Sequence, residues 1–363
     1  MASSNSGTRL IAVAALLAIA AACAWFLRDP EPPPPPPASV LRPVPVSPVA
    51  PRPSQPAAKP GRIRVDPDLP EYAQAGKIQG ELRSAGSDTM NNVMTLWAEG
   101  FHKHYPGVQI HVEGKGSSSA PPALTAGASE LGPMSREMKK KEIDAFVTRF
   151  GHEPTALATC IDMLAVFVHR DNPIQGLTLP QVDAIFSKGR KGGHGTDIVK
   201  WGDLGLTGEW ADMPISLYGR NSSSGTYGYF KQHAIYMGDY KPSVKEQAGS
   251  LMVVHGVAMD RYGIGYSGIG YGTDGVRAVP LAKGPDQPLI EPVAARAYSG
   301  EYPLGRYLYL YVNNPPRAVL GLPLREFLRY VYSRQGQLDV SRADFLPLPA
   351  AFAREQLAKV GLR

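Results

Sequence analysis

The chain has 363 residues, 43% hydrophobic and 19% charged, enough to bury the core of one large or two medium domains. Its net charge of +6 is mild and dispersed, which argues against a nucleic-acid partner. It has only two cysteines, Cys23 and Cys160, and Cys23 lies far N-terminal, so neither a disulfide framework nor a cysteine-based metal site is available.

The first 29 residues read as a segment that carries the rest across a membrane. Arg9 precedes an uncharged run from Leu10 to Leu27, and Arg28 and Asp29 follow it. Such a run suits a signal-peptide core or a short transmembrane anchor. Ala20-Ala21-Ala22-Cys23 also resembles a lipoprotein cleavage box in which Cys23 would be lipidated, although Ala20 stands where a leucine is usual. Lipidation, an uncleaved anchor and simple secretion all stay open. Residues 30–64 form a proline-rich stalk, with the run Pro32–Pro37 inside it. That composition favours extended polyproline II and cannot build a packed core. A stalk is most useful when its far end is fixed, which favours a tethered protein over a freely released one.

From about Gln79 the pattern is alternating α/β. Ala85-Gly86-Ser87-Asp88-Thr89-Met90 leads into a helix with Val93, Trp97 and Phe101 at spacing four. After a strand at Val108–Val112 comes Gly114-Lys115-Gly116-Ser117-Ser118-Ser119-Ala120-Pro121-Pro122, with hydroxyls first and then prolines, where the first helical turn tolerates them. Pro133-Met134-Ser135-Arg136 follows, with Ser135 expected to cap a helix over Glu137–Phe150. Met163–Val168 reads as a buried strand, Thr178–Ser187 as a helix and Ile215–Tyr218 as a strand. The most informative stretch is Arg220-Asn221-Ser222-Ser223-Ser224-Gly225-Thr226, which opens a helix over Ser224–Met237. Tyr307–Val312 alternates at period two with three tyrosines on one face, and Leu324–Leu338 and Ala350–Leu357 read as closing helices.

Four hydroxyl-bearing helix starts, two with arginines, are the parts of one oxyanion cradle. Helix N-termini offer unpaired N–H groups and a positive dipole end, and an arginine grips two oxygens at once. Taken singly, each is an ordinary N-cap; the set points to a tetrahedral anion where several helices converge. Other patterns carry less. Gly263-Ile264-Gly265-Tyr266-Ser267-Gly268 matches a dinucleotide fingerprint but reads as a glycine-rich strand, since no amphipathic helix follows. There is no Walker A pattern and no nucleophile elbow. His102 and His104 read as surface residues, and Lys188-Gly189-Arg190-Lys191 as a solvated loop.

These motifs resemble, in order, those of the phosphate-binding proteins of bacterial ABC phosphate uptake systems. The features that carry the resemblance are Gly86-Ser87-Asp88-Thr89, Gly116–Leu124, Leu131–Arg136, Gly219–Tyr227 and Ile264–Tyr271, with Asp183–Phe186 and Trp201–Leu204 also matching. The resemblance implies a type II periplasmic binding-protein fold over residues 65–363, with two Rossmann-like lobes joined by a two-strand hinge. The crossings would fall near Cys160–Met163 and Tyr271–Asp274, giving lobe one 79–161 with 273–363 and lobe two 162–272. It further implies a monomer that binds inorganic phosphate and delivers it to ABC transporter permease subunits, with no cofactor, metal or covalent chemistry. Thr89 and Met90 match a hydroxyl and a backbone N–H that meet the ligand, and Ser117 a ligand hydroxyl with Ser118 beside it. Arg220, Ser224, Gly225 and Thr226 match the second lobe's arginine, hydroxyls and amides, with Ser87 and Ser223 adjoining.

The third motif departs from some relatives, which place an aspartate there to accept the proton of hydrogen phosphate. Here Ser135 and Arg136 stand instead, and Asp88 is the expected substitute, unless it caps its helix or pairs with Arg136. A surface-tethered phosphate sensor or partner-binding module is the alternative, and a phosphate-ester hydrolase a weaker one, because the serine clusters have no histidine near them in sequence.

Overall fold

The computed structural model describes residues 64–362. The apolar segment, Cys23 and almost all of the proline-rich stretch lie outside the described residues. In chain order the elements are β1 (Gly80–Ala85), α1 (Asn91–His104), β2 (Val108–Glu113), α2 (Ala120–Thr125), β3 (Gly132–Met134), α3 (Lys140–Phe150) and β4 (Thr155–His169). There follow β5 (Leu177–Thr178), α4 (Leu179–Phe186), β6 (Ser216–Arg220), α5 (Gly225–His233), β7 (Lys245–Gln247), α6 (Ser250–Ala258) and β8 (Gly263–Gly268). The chain closes with β9 (Val276–Ala278), β10 (Leu281–Ala282), α7 (Ala294–Tyr298), β11 (Gly305–Val312), α8 (Leu322–Val331), α9 (Arg334–Arg342) and α10 (Ala350–Ala358).

β1 and β2 pair in parallel, with Gly80 opposite Val108. The large sheet runs β3-β11-β4-β8-β6-β7, and β9 adds to β4. β4 is long because it serves two neighbourhoods. Its first part pairs antiparallel with β11 and its second with β8 and β9. The hydrophobic side chains divide at the same place. Leu157 and Cys160 belong to a core with Leu82, Trp97, Phe101, Leu308 and Phe327. Met163 and Leu164 belong to another with Ile185, Trp201, Phe230, Ile264, Leu281, Tyr302 and Leu304. The chain crosses in reverse at the start of β11, from Leu304 just before it in the second core to Leu308 in the first.

The α/β alternation and most elements stand where the sequence places them. Gly263–Gly268 is indeed a strand, buried along its whole length, and not a nucleotide loop. Three expectations change. Ser135 caps nothing: it sits in a bend after β3, and α3 starts at Lys140 because the Glu142 carboxylate takes the Lys139 N–H at 2.7 Å. The single helix expected over Leu324–Leu338 is two, because Ser333 Oγ accepts the Gly336 N–H and starts α9 afresh. The helix after Ser224 stops at His233, where the chain turns through left-handed Tyr236 and Met237. Among the described residues no helix is long and apolar enough to cross a membrane.

Candidate functional site

Four strands end in hydroxyl-bearing turns: β1 runs into Gly86–Met90, β2 into Gly114–Ser119, β3 into Ser135 and β6 into Asn221–Ser224. The last is a helix start built by its own side chain. Ser224 Oγ accepts the N–H groups of Thr226 at 3.1 Å and Tyr227 at 3.4 Å, which fixes the first turn of α5. Thr89, Ser117, Ser135, Ser224 and Thr226 are all buried.

The fold brings these turns into direct contact, although their elements belong to different cores. Thr89 Oγ1 lies 2.8 Å from Thr226 Oγ1 and 3.5 Å from Ser250 Oγ. Ser117 Oγ lies 3.2 Å from Ser135 Oγ and accepts the Ser135 N–H at 3.0 Å. The Ser118 N–H donates to Ser223 O at 3.1 Å. Gly225 is what lets α5 approach so closely. A Cβ there would stand 2.2 Å from Ser117 Oγ and 2.5 Å from Ser135 Oγ. Gly225→Ala is therefore expected to push the two groups of turns apart by about 1 Å, given ordinary van der Waals separations. The change should raise the scattering radius of gyration, even though alanine is the better helix former. An unchanged radius would show that the contact yields locally.

The charges are arranged around these hydroxyls. The Arg220 guanidinium, at the end of β6, donates from Nη1 to Ser250 Oγ at 2.6 Å and from Nη2 to Ala248 O at 3.0 Å. Its Nη2 also lies 3.2 Å from Asp88 Oδ2, which accepts the Ser250 N–H at 2.9 Å. Burial pulls the Arg220 pKa below the usual arginine value, and the Asp88 carboxylate opposes that shift. The second buried arginine is Arg306 on β11. Its Nε and Nη2 donate to Asp162 Oδ2 at 3.0 and 2.7 Å, its Nη1 to Ser135 O at 2.9 Å, and its Nη2 also to Thr226 Oγ1 at 2.9 Å. Two buried side-chain atoms of this cluster have no hydrogen-bond partner: Arg220 Nε, a donor, and Asp162 Oδ1, an acceptor.

Thr89, Ser117, Ser135, Arg220, Ser224, Gly225 and Thr226 thus share one site, with Asp88 at its edge. Asp88 is neither free nor paired with Arg136, because Arg220 takes it. Arg136 forms a two-pronged pair with Glu142 at 2.8 Å on each arm and only grazes Ser118 Oγ at 3.4 Å. The Met90 N–H returns to Ser87 O at 3.1 Å, while its side chain packs in the first core. Ser87 is buried with its N–H on Pro133 O, and Ser223 Oγ bonds Asn221 Oδ1 at 2.7 Å.

Sequence reasoning missed Asp162, Ser250, Tyr271 and Arg306. Tyr271 donates its hydroxyl to the carbonyls of Asp88 and Thr89, at 3.3 and 3.0 Å, and so ties the first turn down. Asp162 carried a usable signal, being the one acidic residue inside the otherwise apolar stretch of β4. Among the described residues no cluster of histidine, cysteine, aspartate and glutamate could hold a metal ion.

Comparison with known proteins adds the following. The PBP superfamily domain matches residues 72–335. Phosphate-binding protein PstS of Pseudomonas aeruginosa is 51% identical over 298 residues, which span 82% of this chain and 92% of that protein. Protein SphX of Synechococcus elongatus is 25% identical over 76% of this chain and 80% of its own length. Among solved structures, a phosphate-bound ABC transporter substrate-binding protein of Clostridium perfringens aligns with a TM-score of 0.63 at 24% identity, over 74% of this chain and all of its own. An ABC-type phosphate transport receptor of Vibrio cholerae aligns with a TM-score of 0.58 at 20% identity, over 74% of this chain and all of its own. At those identities the structural matches speak for the fold alone.

Proposed function

The chain belongs to the PBP superfamily and, within it, to the phosphate-binding PstS proteins, and on that premise we propose that it is a receptor for inorganic phosphate outside the cytoplasmic membrane. It closes two lobes over one phosphate and delivers it to an ABC transporter permease. The observation that carries this reading is the pair of unpartnered buried atoms, the donor Arg220 Nε and the acceptor Asp162 Oδ1, in one hydroxyl-lined site. A buried polar atom without a partner costs about 1–3 kcal/mol, more when charged. Monohydrogen phosphate answers both, since it accepts through its anionic oxygens and donates through its one hydroxyl.

The ligand set proposed is Thr89, Ser117, Ser135, Arg220, Ser224, Gly225 and Thr226, with Asp162 in place of Asp88 as the acceptor of the phosphate proton. Asp88 serves instead as the counter-ion of Arg220. Ser87, Met90, Ser118, Arg136 and Ser223 support the turns. We place lobe one on 79–161 with the chain from β11 onward, and lobe two between them. The return crossing goes to the start of β11 rather than to 273, because Val279, Leu281, Tyr302 and Leu304 pack in the second core.

Hydrolysis is disfavoured because the site hydroxyls bond to one another and to arginines rather than to a histidine base. The N-terminal segment, through an uncleaved anchor or a lipidated Cys23, tethers a monomeric receptor to the membrane. Delivery is tested by phosphate uptake at low external phosphate in cells lacking this protein. Uptake should fall and return with the wild-type chain. Full uptake without it, alongside tight binding in the test tube, would favour the tethered-sensor role.

A further inference from the structure

Arg306 and Asp162 face each other directly across the antiparallel pair of β11 and β4. These are the two strands on which the chain passes between its cores, and both side chains are almost wholly shielded from solvent. The Arg306 guanidinium reaches Ser135 O on one side and Thr226 Oγ1 on the other. It also stacks over the Tyr229 ring at 5.2 Å, and the Tyr229 hydroxyl donates to Gly305 O at 2.7 Å. The arginine is therefore fixed by both strands and by α5.

A guanidinium has donors and no acceptor, so the bond from Arg306 to Thr226 can run in one direction only. With a lone pair of Thr226 Oγ1 occupied, its single hydrogen must point elsewhere. The neighbour in range is Thr89 Oγ1 at 2.8 Å, on the opposite face of the site. An oxyanion between these faces would receive that hydrogen. Without Arg306 the hydroxyl could rotate and present its lone pairs to an incoming anion.

We propose that Arg306 is a positioning residue for the bound anion: held by Asp162 across the two crossing strands, it fixes the Thr226 hydroxyl as a donor toward the ligand. The role rests on the phosphate reading above. It also links donor orientation to lobe closure, because Arg306 bonds elements from both lobes at once.

A double-mutant cycle in the full-length protein tests this, with phosphate affinity and melting temperature as readouts. Arg306→Lys keeps a charge for Asp162 but cannot hold Asp162, Ser135 and Thr226 together, and should weaken phosphate binding about tenfold or more, the scale of a lost charge-assisted bond. Thr226→Val should cost a similar factor, and Thr226→Ser should restore binding to within about threefold of wild type, because it keeps the hydroxyl. The decisive expectation is that Arg306→Lys costs clearly less on the Thr226→Val background than on wild type, the remainder being what reaches the ligand through Asp162. Independent, multiplying losses would overturn the proposal. So would an Arg306→Lys variant with a lowered melting temperature and unchanged affinity. If Arg306→Lys does not fold, Thr226→Ser against Thr226→Val still decides, since equal affinities would remove the hydroxyl from the account. Wild-type protein that bound no phosphate would instead overturn the functional reading itself.

Discussion

Replacing Arg220 with methionine should weaken phosphate binding by about 2–5 kcal/mol, the usual consequence of removing one member of a buried charged contact. That is roughly thirtyfold to several thousandfold in the dissociation constant. The guanidinium is buried, its two terminal nitrogens are held by Ser250, Ala248 and Asp88, and its Nε is left for another partner. Methionine fills a similar volume, so the packing term stays small and the loss reports chiefly on charge and hydrogen bonding. Asp88 retains the Ser250 N–H and is partly exposed, at 21% of its side chain, so water can replace the lost arginine in part. Thermal unfolding of the ligand-free variant should accordingly change less than its affinity. Titration showing near-wild-type affinity would remove Arg220 from the ligand.

Asp162→Asn should remove much of the selectivity of the site rather than abolish binding. The native carboxylate is fully buried, and Oδ2 is committed to Arg306 while Oδ1 accepts from nothing. Sulfate, fully ionised at neutral pH, would face Oδ1 with another acceptor and no proton between them. An asparagine can turn its amide N–H to that position and satisfy sulfate equally well. The ratio of phosphate to sulfate affinity is expected to fall by about 1–3 kcal/mol, the cost of a buried unpaired polar group. Competition between the two anions measures that ratio directly. The same substitution at Asp88 should leave the ratio nearly unchanged and lower both affinities together. A ratio that follows Asp88 and ignores Asp162 would restore the assignment made from sequence.

The hydroxyl-bearing turns were legible because their signals are local. Ser224, Gly225 and the prolines of α2 act through capping, close approach and fixed φ within a few positions. The paired charges were not legible in the same way. Asp162 and Arg306 are 144 positions apart, and only the register of β4 on β11 places them opposite each other. Asp88 looked available because its partner Arg220 arrives from the other side of the site, where no sequence pattern records it. Arg136 misled for the opposite reason. It stands beside a site serine in sequence, but Glu142, six positions on, takes both arms of its guanidinium. The misplaced helix ends have local causes, at the Glu142 and Ser333 caps, which a strict period count passes over.

The most direct test of the account is calorimetric titration of residues 62–363, dialysed exhaustively after mild unfolding, with phosphate and then sulfate at two pH values. The account predicts tight one-to-one binding of phosphate and sulfate binding weaker by about 1–3 kcal/mol at either pH. Equal binding of the two anions would contradict the proton-accepting role of Asp162 while leaving the cradle in place. No binding of either would leave the four hydroxyl-bearing turns with a purely structural role and contradict the receptor reading as a whole.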